Sequence, residues 1–243
     1  MKRILILTIA CCAAAGAQGQ LFDTSAAQSE LVATLMGTGR VFSANVTVKR
    51  EKRDKQIRIA DNVMFMRDGD LRIEHKPADE PSLAKLTAKL KKDNLAEIVT
   101  ILLPKTNKAY LILPGKRAYI EASSEKTAAP RTESKLLRAE TLDGHLCTVR
   151  QITLTSEDDS RQQIIIWEAA ELQGFIVKSQ MDRGDDTNEI LLFTNIKLEK
   201  TDDTKFAIPD GYSKLKGEST GEIAEVMMEF DLDRDAALAD LLR

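Results

Sequence analysis

After Gly39 the chain adopts a period of two, and that period limits its fold more than any other feature. Phe42, Ala44, Val46 and Val48 alternate with Ser43, Asn45, Thr47 and Lys49. Successive side chains of a strand point to opposite faces, so this run is a strand with one dry and one wet face. Ile57 and Ile59 flank Arg58 in the next run, Asn62 to Met66 follows, and Asp68-Gly69 turns the chain into Leu71-Arg72-Ile73-Glu74. Pro77 to Pro81 breaks the pattern. Leu83, Leu86 and Leu90 then recur at helical spacing among Lys85, Lys89, Lys91 and Lys92, which predicts an amphipathic helix with a solvated lysine face. Strands resume at Ile98–Leu103, Ala109–Leu113 and Arg117–Glu121. Residues 122–134 are rich in Ser, Thr, Ala and Lys and read as a loop. Further strands are expected at Cys147–Thr155, Gln162–Trp167, Phe175–Met181 and Glu189–Leu198. Strand–helix–strand alternation is largely absent, so the expected class is mainly β (α+β). The architecture is one strongly curved antiparallel sheet packed over a few helices. A first helix is expected over residues 24–37, ended by Gly37 and Gly39.

The two ends read differently. Lys2 and Arg3, the apolar run Ile4–Ala15 and the small residues Ala15-Gly16-Ala17 have the layout of a Sec-type signal peptide over residues 1–17, with Gly19 as an alternative cleavage site. The apolar run is shorter than the ~20 residues a spanning helix needs. The expectation is an exported, periplasmic protein; lipid anchoring through Cys11 is the alternative. Residues 18–216 would form the domain and 217–243 a linker and a C-terminal helical extension. In that extension Ile223, Val226, Met227 and Phe230 make an apolar stripe opposed by Glu222, Glu225 and Glu229.

Composition removes several classes. Losing Lys2 and Arg3 shifts the formal charge from −3 to −5. Nucleic-acid binding rests on clustered basic residues and, for single strands, on aromatic platforms; only 5% of residues are aromatic. No nucleic-acid partner is expected. With Cys11 and Cys12 in the signal segment, Cys147 stands alone and reads as a small buried hydrophobe.

The candidate constellations for chemistry fail on their own requirements. Gly217-Glu218-Ser219-Thr220-Gly221 matches a nucleophile elbow, but His75 and His145 both precede Ser219, where that arrangement needs a following histidine. Asp231, Asp233 and Asp235 have the spacing that opens a calcium loop. Ala236 and Leu242 stand where glycine and a bidentate glutamate are needed. His145 with Cys147 gives two ligands at most, short of a zinc site. The expectation is no catalytic residue, no metal and no cofactor. Trp167, ending the apolar run Ile164-Ile165-Ile166, reads as core or as a ligand contact.

Several short stretches carry a family likeness. These are Tyr110-Leu111-Ile112-Leu113-Pro114-Gly115-Lys116-Arg117-Ala118-Tyr119, Leu142-Asp143-Gly144-His145-Leu146-Cys147, Ile165-Ile166-Trp167 and Leu192-Phe193-Thr194-Asn195-Ile196-Lys197. Phe206-x-Ile208-Pro209-x-Gly211-Tyr212 completes the set. Their order resembles exported bacterial proteins of the outer-membrane lipoprotein carrier (LolA/LolB-like) superfamily, over roughly residues 41–215. The resemblance implies an unclosed antiparallel barrel whose apolar cavity holds acyl chains of lipids or lipoproteins. Phe42, Val46, Phe65, Ile101, Ile112, Ile166, Trp167 and Phe193 are then the residues expected to line that cavity or to fill the core. The alternative is a protein-interaction or sensor domain on the same fold, with residues 222–242 engaging a protein partner.

Overall fold

The computed structural model describes residue 36, residues 40–123, 130–156, 159–184 and 186–216, and residues 221, 223, 237 and 238. The signal-peptide reading, nearly all of the helix expected over residues 24–37 and most of the C-terminal extension lie outside the described residues.

Among the described residues, twelve strands form one sheet. Two antiparallel meanders build it. The first comprises β1 (Val41–Lys52), β2 (Lys55–Arg67), β3 (Asp70–His75), β4 (Ile98–Leu103), β5 (Lys108–Leu113) and β6 (Ala118–Ser123). The second comprises β7 (Arg131–Leu142), β8 (His145–Thr155), β9 (Arg161–Ala169), β10 (Phe175–Asp182) and β11 (Thr187–Lys197). β1 pairs antiparallel with β11, Val46 opposite Phe193, and this one seam joins the meanders. The order is β12-β6-β5-β4-β3-β2-β1-β11-β10-β9-β8-β7, with β12 (Ser213–Lys214) on one edge and β7 on the other. The sheet is therefore unclosed, as expected.

Turn chemistry sets the register. Asp68-Gly69 and Asp143-Gly144 both have two successive positive φ angles (50° and 93°, 48° and 86°). Those angles are the two-residue turn that matches strand twist. Three other links, Pro104–Thr106, Pro114–Lys116 and Ala170–Leu172, are single 3-10 turns closed by a left-handed residue: Asn107, Arg117 and Gln173. Helix α1 (Ala84–Lys92) fills the gap made by Pro77–Pro81, burying Leu90 and exposing Lys85, Lys91 and Lys92. Its lysine-rich last turn complements the negative end of the helix dipole.

The sheet is dry on both faces at β4 and β5. Phe42, Ala44, Val46, Met64, Met66, Leu71, Ile73, Leu102, Leu111 and Ile120 share one large core with Leu90, Leu95, Met36 and Ile223. The residues of opposite parity, Val99, Ile101, Tyr110 and Ile112, form a second core with Phe206, flanked by Phe65, Tyr119, Ile208 and Tyr212. The chain between β11 and β12 makes this second core. It leaves the sheet beside β1, places Phe206 over the other face and returns at the far edge. There Ser213 N–H donates to Arg117 O (3.1 Å) and Leu215 N–H to Tyr119 O (2.8 Å). The returning chain ends in β12, whose pairing with β6 is parallel.

Residues 122–123 and 131–134, expected as loop, are strand instead: the first two end β6, and the last four open β7. Eleven of the twelve residues of β7 pair with β8, from Arg131 opposite Thr155 to Leu142 opposite His145, Leu137 being passed over at a register shift. Residues 131–139 are exposed throughout. A strand wet on both faces has no apolar alternation to announce it.

Candidate functional site

The eight residues named from sequence divide between the two cores. Phe42, Val46, Ile166, Trp167 and Phe193 lie in the large one. Ile101 and Ile112 lie in the smaller one, with Phe65 packed against it. Since the second set faces Phe206 across the sheet from the first, the eight line no single cavity. Phe42, Phe175 and Phe193 form an edge-to-face chain, with centroids 4.8 Å apart for the first pair and 5.8 Å for the second.

One end of that chain opens. Phe193 is in the wall of a cleft of about 280 Å³, together with Leu142, Leu172, Val177, Leu192 and Ile196. Asp143, His145, Thr194 and Asn195 complete the lining. The strand register explains the gathering. The β7–β8 turn supplies Leu142, Asp143 and His145, the β9–β10 turn supplies Leu172, β10 supplies Val177, and the end of β11 supplies Leu192 to Ile196. Sequence reasoning named only Phe193 here for a binding role. The others come together because Asp143-Gly144 and Gln173-Gly174 turn the chain at the same end of adjacent hairpins.

One polar group of this cleft, His145, is held by a neighbour outside the lining. The His145 Nδ1–H donates to Glu171 Oε1 at 2.6 Å. Glu171 is held below the usual carboxylate range, first by its own backbone N–H and then by His145. Cys147, next along β8, is 1% exposed, and burial pushes its thiol pKa up. It is a packing residue, as expected, with its sulfur 3.4 Å from the His145 carbonyl.

Trp167 sits in a different setting. Its ring lies under the Lys178 ammonium, 4.2 Å from the centroid, and its indole N–H donates to Glu140 of β7. Elsewhere, charges meet opposite charges: Arg50 and Arg183 flank Glu189 (3.2 and 3.5 Å), Arg72 meets Glu74 (2.9 Å) and Arg150 meets Glu168 (2.8 Å). The Arg50–Glu189 and Arg150–Glu168 contacts cross between neighbouring strands, β1 to β11 and β8 to β9. Ser219, Asp231, Asp233 and Asp235 lie outside the described residues. His75 and His145 are engaged separately, His75 with Thr100 (3.1 Å) and His145 with Glu171.

No protein-family profile matches the chain, and no curated protein does. Solved structures resemble it. The LolA superfamily protein NE2245 from Nitrosomonas europaea is 14% identical, with 74% of this chain and 97% of that one covered at a TM-score of 0.35. The Mycobacterium tuberculosis lipoprotein LppX is 14% identical over 72% and 94%, at 0.37. MucB in the Pseudomonas aeruginosa MucA/MucB complex is 12% identical over 76% of this chain and 60% of that one, at 0.40.

Proposed function

We propose that this protein is an exported, periplasmic, non-catalytic module that binds the acyl chain of a lipid or lipoprotein, serving lipid or lipoprotein traffic to the outer membrane. The observation that carries the proposal is the cleft of about 280 Å³ walled by Leu142, Leu172, Val177, Leu192, Phe193 and Ile196. Small-molecule pockets are mostly apolar, with a few placed polar groups, and begin near ~300 Å³. This cleft has that make-up and takes part of one chain. Behind it the Phe193–Phe175–Phe42 series offers edge contacts that a chain entering the core would replace. The likeness of the sequence motifs to lipoprotein carriers points the same way.

The test is whether protein purified without denaturant carries lipid. Native mass spectrometry should show an acyl species, and the delipidated protein should take up a fluorescent fatty acid. Val177→Trp, which fills the cleft wall, should reduce uptake at least tenfold while leaving the fold intact by circular dichroism. Protein with no bound acyl species and no uptake overturns the proposal.

A further inference from the structure

The free edge at β7 is the least protected part of the sheet. The other edge ends in the two-residue β12. β7 is twelve residues long, pairs on one side only among the described residues, and leaves Leu136 60% and Leu137 36% exposed. We propose that this edge pairs antiparallel with the β7 edge of a second copy of the chain.

The register follows from the backbone. Across the Asp143-Gly144 turn, Leu142 and His145 form the hydrogen-bonded pair that closes a two-residue hairpin. Hydrogen-bonded and non-bonded pairs then alternate along β8. His145, Cys147, Val149, Gln151, Thr153 and Thr155 bond towards β7. Their partners on the straight part of β7 are Lys135, Glu133 and Arg131. Thr132, Ser134 and Leu136 therefore point their N–H and C=O groups to the free edge. The register shift between Leu136 and Arg138 ends this straight segment.

One antiparallel register pairs these outward groups with each other: Ser134 opposite Ser134 of the second copy, and Thr132 opposite Leu136. That register also sets Glu133 opposite Lys135 on both sides of the two-fold axis. Neither residue has a salt bridge among the described residues, whereas Arg131 is held by Asp159 (3.0 Å) and Arg138 by Glu140 (2.5 Å). Edge charges ordinarily block pairing. Here the pair that has no partner within the chain is complementary to its own image. The exposed Leu136 packs against Thr132 of the other copy, and the interface is isologous.

Sedimentation equilibrium of the full chain from micromolar to millimolar concentration should show a monomer–dimer equilibrium. Glu133→Lys puts like charges opposite each other twice and should weaken it at least tenfold. The double exchange Glu133→Lys with Lys135→Glu should restore it. Ser134→Cys should give a disulfide-linked dimer under mild oxidant well above the background of the unsubstituted chain, because the paired Cα atoms lie within disulfide reach. A chain that stays monomeric to millimolar concentration overturns the proposal. So does a dimer indifferent to Glu133→Lys, which would mean that it forms elsewhere.

Discussion

Arg67 stacks on Phe206: its guanidinium carbon lies 4.4 Å from the ring centroid while its nitrogens bond Asp70 at 3.0 Å and Asp203 at 2.5 Å. Arg67 belongs to β2 and Phe206 to the returning hook, so this contact fastens the hook to the second face of the sheet. Arg72 adds a bond from Nη1 to the Lys205 carbonyl, 2.9 Å. Phe206 is 6% exposed, and removing a buried phenyl costs about 3–5 kcal/mol. Phe206→Ala should lower the urea midpoint accordingly and expose Ile101, Tyr110 and Ile112. Arg67→Ala should cost less, about 1 kcal/mol, since its ion pairs are partly exposed. A Phe206→Ala protein as stable as the parent would show that the hook is not fastened there.

His75 couples stability to pH. It lies on β3 opposite Ile98, and its Nε2 is 3.1 Å from the Thr100 hydroxyl. Burial lowers its pKa from 6.5 to about 4. The unfolded chain therefore binds a proton at this position between those values while the folded chain does not. Stability is full above pH ~6.5 and is lost as pH falls towards 4, by roughly 2–3 kcal/mol for a shift of this size. His75→Gln should flatten the pH dependence of the denaturation midpoint between pH 6.5 and 4.5, whatever it does to stability at pH 8. An unchanged slope would place the titration elsewhere.

Where one face of a strand was dry and the other wet, sequence was enough. Phe42, Ala44 and Val46 face one core as their spacing says. Parity says which residues of a strand share a side, but not what covers that side. Phe65, Ile101 and Ile112 were grouped with Phe42 for that reason, and only the path of residues 198–212 separates them. Ile98–Leu103 is nearly continuous apolar because both its faces are covered. β7 failed the opposite way: with neither face covered, nothing selected apolar residues along it. The cleft was legible only through Phe193, because its other walls meet by strand register and not by proximity in sequence.

Gly115 is a packing requirement. A Cβ there would stand 2.6 Å from the Asn94 carbonyl oxygen and 2.9 Å from its Cβ. The 3-10 turn after β5 thus sits directly on the turn that ends α1. Gly115→Ala must push these two turns apart, at about 1–3 kcal/mol. Gly69→Ala meets nothing within 4 Å and pays only for its positive φ of 93°. Thermal unfolding of the two variants separates the effects, since only Gly115→Ala should also speed hydrogen exchange at Leu95, whose N–H donates to Leu90 O. Equal exchange there in both would argue against the clash.

Trp167 makes the free edge strand observable. It is the sole tryptophan and is 4% exposed, and its indole N–H reaches Glu140 across β8. Glu140 is held below the usual carboxylate range by Arg138 first and by Trp167 second. A depressed carboxylate supports the fold above its unfolded pKa, 4.5 for glutamate, and gives up that support as pH falls through the folded value. Tryptophan emission should be blue-shifted, resistant to acrylamide and constant from pH 8 to 5. It should move to the red only as Glu140 takes its proton, below 4.5. Glu140→Gln should abolish that low-pH step while keeping the neutral-pH emission, because the amide oxygen still accepts the indole proton. Lys178→Ala should leave the step in place and cost about 0.5–1 kcal/mol through the lost cation–π contact. If the Glu140→Gln protein shows the same acid step as the parent, the indole does not report on this carboxylate, and the attachment of β7 to the sheet runs through the β7–β8 ladder alone.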